Sequence, residues 1–488
     1  MSRTGKAGVL AISQGVSTLI GLAILASLSR ILDKHNYATY QQTLLVYRIV
    51  APLLLLGLPQ AILYFASSPD ANQRKMVLEN IVALLGTGFL FCGFLVAGGN
   101  RFIAERFNNP DLEHALLLLA LYALVMPAVT ALPTCLLAFG EVRRIALFNL
   151  VVRTATFVAV VAAAYSTGGA QMAVAALVVV NLVAFFPAVA LMVRAPSSGT
   201  WKVTTSGIRE QLHYSVPLGL STILAALTMN LDKVIVSVSF PAEEFAVYAN
   251  GAIEIPFISV ITGAASAVLI AGMAPLFRIG EAGEAMAMWR RSALKVAGIL
   301  YPAFVGLMIF APEIITLLFS IDYVDSAQPF RVYLLLLPFR VAFFGTIFQA
   351  IGANRTIFVY SGLSLVLNTA VSLALVQVLG PVGAAVGTVV VTIGFTIPFC
   401  IVAIRRRIGS EAAEGVLPWR GLSNILLAAA ACGAVALGIK LLATELFGSL
   451  WGNGLAIAIY GVSVVLVFEH LRFLSTHDLF SKVWSAHK

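Results

Sequence analysis

Six ionisable side chains stand inside apolar runs of this chain: Arg48, Arg153, Asp232, Lys233, Glu254 and Arg340. A charge deep in a hydrocarbon layer is costly unless it faces protein or water, so such residues mark functional positions by default. Arginine keeps its proton and presents a planar fork that fits phosphate oxygens. Three arginines against few acids leave a surplus of fixed positive charge, which suits an anionic, phosphate-bearing substrate. Internal pairing within a bundle is the competing reading for every one of them. Asp232 and Lys233 point about 100° apart on a helix and would need partners on other helices. Glu254 is open to three readings: it neutralises Arg48, it carries a proton, or it binds Na⁺. Glu254 is therefore a candidate for coupling to H⁺ or Na⁺.

Polar stripes accompany these charges. Asn149, Arg153 and Thr156 share one helical face by i, i+4, i+7 spacing. Gln14, Ser17, Thr18 and Gly21 do the same near the N-terminus, and Ser361, Ser364, Asn368 and Ser372 do so further on. Such stripes either line a wet cavity or bond helix to helix. The candidate substrate-binding set is Arg48, Arg153, Arg340, Lys233, Gln14, Asn149 and Asn368. Gly383 and Gly387 read as close packing. Pro52, Pro59, Pro217 and Pro256 should bend the helices that carry them.

The elements that must position these residues are membrane-spanning helices. Of 488 residues 60% are hydrophobic and only 11% charged, against about 25% charged in soluble domains. The apolar runs reach the roughly 20 residues needed to cross a hydrocarbon core. Fourteen spans are expected, near 8–30, 40–66, 78–98, 114–138, 145–166, 170–193, 213–238, 246–276, 292–318, 331–351, 357–379, 381–404, 421–443 and 453–470. The fold class is thus all-α and polytopic. The run from Val9 to Leu28 has no convincing cleavage site and reads as the first span. The stretches 193–213 and 404–421, rich in Pro, Gly and Ser, read as linkers.

With the N-terminus in the cytoplasm, 21 of the 31 lysines and arginines fall in cytoplasmic loops and six in the opposite loops. That bias sets the orientation, places both termini in the cytoplasm, and accounts for the formal charge of +9 without nucleic acid. Arg405, Arg406 and Arg407 are membrane-edge anchors on this reading. Cys92, Cys135, Cys400 and Cys432 sit in apolar runs with no metal-ligand spacing, and read as packed thiols.

The chain also looks duplicated. Leu32–Tyr40 resembles Phe240–Tyr248 at an offset of 208. Phe139–Arg144 resembles Ile351–Thr356 at 212, and Gly168 then falls on Gly380. An even number of spans per repeat makes the repeats parallel. The expected organisation is an N-terminal lobe over 1–200 (spans 1–6), a C-terminal lobe over 201–410 (spans 7–12), and an extra helix pair with a cytoplasmic tail over 411–488. Two such lobes with a cleft between them are the architecture of an alternating-access carrier. No Walker loop, catalytic triad or metal motif is present, so neither an enzyme nor a cofactor is expected.

Ordered segments along nearly the whole chain resemble the polysaccharide-type flippases of the multidrug, oligosaccharidyl-lipid and polysaccharide exporter superfamily. They are Ser13–Ser17 through Arg30–Leu32, Leu56–Gln60, Ser215–Ser221 running to Asp232–Val236, Gly352–Arg355 and Leu379–Ala385. The loop Leu32–Asn36 departs from the Gly-containing turn usual there. The resemblance implies a two-lobed carrier in the cytoplasmic (inner) membrane, moving an undecaprenyl-diphosphate-linked oligosaccharide to the outer leaflet. It also implies that an H⁺ or Na⁺ gradient drives transport through Glu254 or Asp232, with membrane lipids and other polysaccharide assembly proteins as partners. A multidrug or cation exporter on the same fold, a membrane glycan polymerase and a non-transporting scaffold are the alternatives. The first should show an acidic cleft, and the second a large outer loop.

Overall fold

The computed structural model describes residues 3–66, 72–196, 199–253, 255–409 and 415–470. Glu254, an ion-coupling candidate, and the tail beyond His470 lie outside the described residues. The helices run α1 (Arg3–Ile31), α2 (Lys34–Leu55), α3 (Leu58–Ala66), α4 (Gln73–Phe94), α5 (Asn100–Arg106), α6 (Leu112–Ala138), α7 (Val142–Thr167), α8 (Ala170–Arg194), α9 (Thr205–Ser239) and α10 (Ala242–Gly251). They continue with α11 (Pro256–Arg278), α12 (Ala282–Ile309), α13 (Ala311–Phe319), α14 (Ala327–Leu334), α15 (Phe344–Ala350), α16 (Asn354–Leu379), α17 (Val382–Val391), α18 (Ile397–Ile408) and α19 (Trp419–His470). Thirteen helical stretches are long and apolar enough to span a membrane, or fourteen with one bent pair counted as a span. Large apolar side chains cover the outside: Phe89, Leu90, Phe186 and Val366 are all exposed. Such a surface is soluble only in lipid, so the chain is a multi-pass membrane protein.

Several spans break beside a proline, although Pro127, Pro133, Pro187, Pro275 and Pro302 lie inside continuous helices. The second span stops at Leu55 and resumes at Leu58, with Pro52 before the break and Pro59 after it. The eighth is interrupted between α10 and α11, which starts on Pro256. The tenth bends by 42° between Ile321–Leu334 and Leu337–Ala350, where Pro338 opens a 3-10 turn over Leu337–Val341. By contrast, α9 runs through Pro217 without interruption. The ninth expected span, 292–318, divides into α12 and α13.

The chain forms two compact units, Met1–Asn250 with Ser372–Ala384, and Gly251–Val371 with Ala385–Lys488. In the first unit α6 is the central helix: 67% of its most apolar window is buried, against 6% for α1. It packs on α4 and α8, and α7 packs on α1 and α8. Leu58, Val77, Leu84, Leu132, Leu136 and Met192 form the core there. The unit does not coincide with the expected N-terminal lobe, since α9, read above as the first span of the C-terminal lobe, packs against α2, α3 and α4. In the second unit α12 packs on α11, α19 and the 3-10 turn. Lys440 of α19 meets Glu313 at 2.6 Å and donates to the Ile309 carbonyl at 3.4 Å, fastening the extra helices. Cys135, Cys400 and Cys432 are buried thiols, and Cys92 is half-buried.

The stretch read as a linker before the seventh span is fastened at one end. Asn72 accepts from the Thr200 amide at 2.7 Å and donates to its hydroxyl at 2.9 Å. Arg74 stacks 4.9 Å from the Trp201 ring. Glu79, only 3% exposed, accepts from the Thr204 amide at 2.9 Å and its hydroxyl at 2.6 Å. That carboxylate sits at the N-terminus of α9, where negative charge is favoured. Glu79→Ala should therefore destabilise the protein by about 2 kcal/mol, the scale of lost charge-assisted hydrogen bonds. A thermal melt in detergent measures this, and an unchanged melting temperature would exclude the cap.

Candidate functional site

The first unit gathers two of the predicted arginines. Arg48 stands on α2 and Arg153 on α7, and the charges of both act on Tyr40 of α2 and Tyr122 of α6. Tyr37 also lies within reach of the Arg48 charge. Tyr47 meets Tyr122 edge to face with centroids 4.8 Å apart. Tyr37, Tyr40 and Tyr122 are buried while Arg48 and Arg153 are exposed residues, the Arg48 charge with protein close around it. Helical spacing explains the arrangement, because residues 37, 41, 44 and 48 recur along one face of α2. Among the described residues no carboxylate lies within 4.0 Å of either guanidinium. Phenol groups stand beside both cations.

Asn149 is half-buried one turn before Arg153 on α7, and Gln14 is exposed on α1, the helix that packs on α7. Asp232 is 4% exposed and accepts from the Tyr248 hydroxyl at 3.0 Å, a partner on another helix. Lys233 is half-buried beside it.

The second unit holds Arg340 and Asn368. Arg340 is exposed on the 3-10 turn that interrupts the tenth span. Two side chains of α12 hold that turn: Tyr301 donates to the Pro338 carbonyl at 3.2 Å and Trp289 Nε1 to the Phe343 carbonyl at 3.4 Å. They satisfy backbone groups that a broken helix leaves open. Asn368 donates to Thr388 Oγ1 at 3.3 Å, and Ser364 bonds Thr396 at 2.7 Å. These residues of the span-11 stripe bond helix to helix.

A network that the sequence reading missed lies toward the start of α2, in the first unit. Tyr37 donates to Asn250 Oδ1 at 2.6 Å and Gln41 to the same oxygen at 3.1 Å. Gln42 donates to Ser237 at 2.8 Å and accepts from Asn109 at 2.6 Å. All of these side chains are buried, where hydrogen bonds reinforce one another, and among the described residues Asn250 Nδ2 and Asn109 Oδ1 find no partner. Only Tyr37 lies in a segment read as repeated, and Gln41, Gln42, Asn109, Ser237 and Asn250 carried no signal in the sequence. The four tyrosines of the arginine cluster were missed as well, although three share α2 with Arg48.

The sequence matches the model of the family described as "Polysaccharide biosynthesis protein" over residues 27–328, more than half of the chain. The chain belongs to the polysaccharide biosynthesis protein family. Its fold is that of known carriers. A structure of the lipid II flippase MurJ in an inward closed conformation superposes with a TM-score of 0.73 at 12% identity, covering 94% of this chain and 98% of that one. An inward-facing multidrug resistance MATE transporter of the MOP superfamily gives 0.65 at 16% identity, over 83% of this chain and 98% of the other. A MOP superfamily transporter from Pyrococcus furiosus, titled for the reverse polarity of its binding pocket, gives 0.55 at 18% identity, over 84% and 96%. Among curated protein sequences none matches this chain significantly. The likenesses establish the fold of this polysaccharide biosynthesis family member, and its chemistry has to come from its own residues.

Proposed function

We propose that this protein is a flippase for an undecaprenyl-diphosphate-linked oligosaccharide. It carries the glycan from the cytoplasmic to the outer leaflet of the cytoplasmic membrane for surface polysaccharide assembly, by ion-coupled alternating access, with both termini in the cytoplasm. Family membership supports the pathway, and the carrier fold supports transport rather than catalysis. The observation that carries the choice of cargo is the pair Arg48 and Arg153, exposed and without a carboxylate within 4.0 Å among the described residues, beside Tyr40 and Tyr122. A diphosphate supplies the oxygens that two guanidiniums bind best. The lipid tail stays in the bilayer while the head group crosses. A cationic drug, the cargo that an exporter of the same fold would take, meets like charge at this cluster.

Arg340, on the interrupted span of the second unit, is a further anion-binding candidate, and Lys233, Gln14 and Asn149 are candidate polar contacts. Asp232 and Glu254 remain the proposed coupling carboxylates. Deleting the gene tests the reading. A lipid-linked glycan should accumulate on the cytoplasmic leaflet, and the surface polysaccharide built from it should disappear. Normal surface polysaccharide with no accumulated intermediate would refute the assignment.

A further inference from the structure

The strongest unassigned feature lies at the ends of the helices opposite the Arg143–Arg144 loop. His35, in the first turn of α2, places Nδ1 2.9 Å from Glu243 Oε1 and Nε2 3.0 Å from Asp111 Oδ2. Asp111 directly precedes α6, and Glu243 lies in the first turn of α10. An imidazole can donate from both nitrogens only as the doubly protonated cation. With one proton lost, one ring nitrogen turns a lone pair toward a carboxylate, and attraction becomes repulsion.

We propose that His35, Asp111 and Glu243 form a proton-binding clasp, in which the imidazolium ties the start of α2 to α6 and α10 and its deprotonation releases one of the two ties. The ligand is a proton from the solution on that face. His35, Asp111 and Glu243 side chains are 37%, 60% and 48% exposed, so they exchange protons with that solution directly. A cavity of about 260 Å³ borders the clasp, lined by Asn36, Thr39, Asp111, Gly169 and Gln171 among others.

The charges facing the ring come from three elements. Asp33 acts on it from its own helix start, Asp111 from the α5–α6 loop and Glu243 from α10. At the neighbouring start of α8, Ala170 donates to Asn36 at 3.0 Å and contributes no titratable group there. The surroundings are therefore acidic, which favours the cation. Histidine titrates within the physiological range, so an acidic exterior keeps the clasp shut and a neutral or alkaline one loosens it. His35 and Glu243 are also matched positions of the internal repeat, 208 residues apart. The clasp thus joins the two copies of the repeated segment.

On the flippase reading the clasp is where external pH acts on the carrier, yet its test needs no substrate. The full-length protein in nanodiscs, labelled on its six histidines, gives the His35 titration by NMR, assigned with His35→Gln. Asp111→Asn and Glu243→Gln should each lower the midpoint by about one pH unit. Spin labels introduced by Lys34→Cys and Glu244→Cys, with the four native cysteines replaced by alanine, report the opening. Their separation should grow between about pH 5.5 and about pH 8.5 with His35 present, and stay independent of pH with His35→Gln. A midpoint unmoved by both carboxylate substitutions, or a label separation that ignores pH with His35 in place, overturns the clasp. Failure of the flippase reading would leave both results standing.

Discussion

Arg48→Ala and Arg153→Ala are each expected to abolish export of the surface glycan while the protein still reaches the membrane. Each removes a guanidinium that has no internal carboxylate among the described residues. The fold therefore loses little, and the anion loses a charge-assisted pair. Such a pair is worth about 1.5–3 kcal/mol, roughly 10- to 100-fold in affinity for each arginine. Arg48→Lys keeps the charge but loses the planar fork, so it should recover only part of the transport. Binding of the diphosphate-linked lipid to the purified variants measures the loss directly. Retained export in both alanine variants, at normal membrane abundance, would eliminate the diphosphate clamp. Tyr122→Phe offers a finer comparison, because it keeps the ring that Tyr47 packs on and removes the hydroxyl.

Gly57→Ala should produce the largest loss of stability of any conservative change. Gly57 lies in the break between α2 and α3 with φ of +73°. An added Cβ would stand 2.6 Å from the Ser215 carbonyl oxygen and 3.0 Å from the Gly219 nitrogen, both backbone atoms of α9 that cannot rotate away. The left-handed conformation costs an alanine about 1–2 kcal/mol, and overpacking adds about 1–3 kcal/mol. The break is otherwise well supported: Thr87 donates to the Leu54 carbonyl at 2.7 Å, and Asn80 to the Leu58 carbonyl at 2.8 Å. Gly219→Ala should act in the same direction, since its Cβ would meet the Leu56 backbone at 2.6 Å. Reduced yield and a lower melting temperature in detergent are the expected results. Wild-type stability in both variants would show that α2, α3 and α9 do not pack this closely.

The sequence by itself determined the membrane class, the number of spans and where proline would interrupt several of them. These properties depend on composition and local backbone chemistry. Every residue in hydrocarbon meets the same solvent, so apolar length decides a span. Pro59 and Pro256 lack an amide hydrogen wherever the chain places them, and helices pause beside both. Pro217 marks the limit of that rule, because α9 continues through it. The intramembrane charges were legible for the same reason, since any charge in an apolar span is costly where it meets lipid.

Partnership was not legible. Sequence spacing places Asn368 on a polar face, but only packing shows that its amide is given to Thr388. It marks Asp232 as costly, and only the fold supplies Tyr248. Arg48 and Arg153 are 105 positions apart, and nothing local brings them to the same two tyrosines. That convergence requires α2 and α7 to pack around α6. His35 shows the division most clearly. The repeat offset already matched it with Glu243, but a matched position is not a contact. Tertiary structure turned the match into a hydrogen bond and added Asp111 on the other side of the ring. Local chemistry decides which groups are expensive in a membrane, and only tertiary packing decides which of them are neutralised and which are left to bind a ligand.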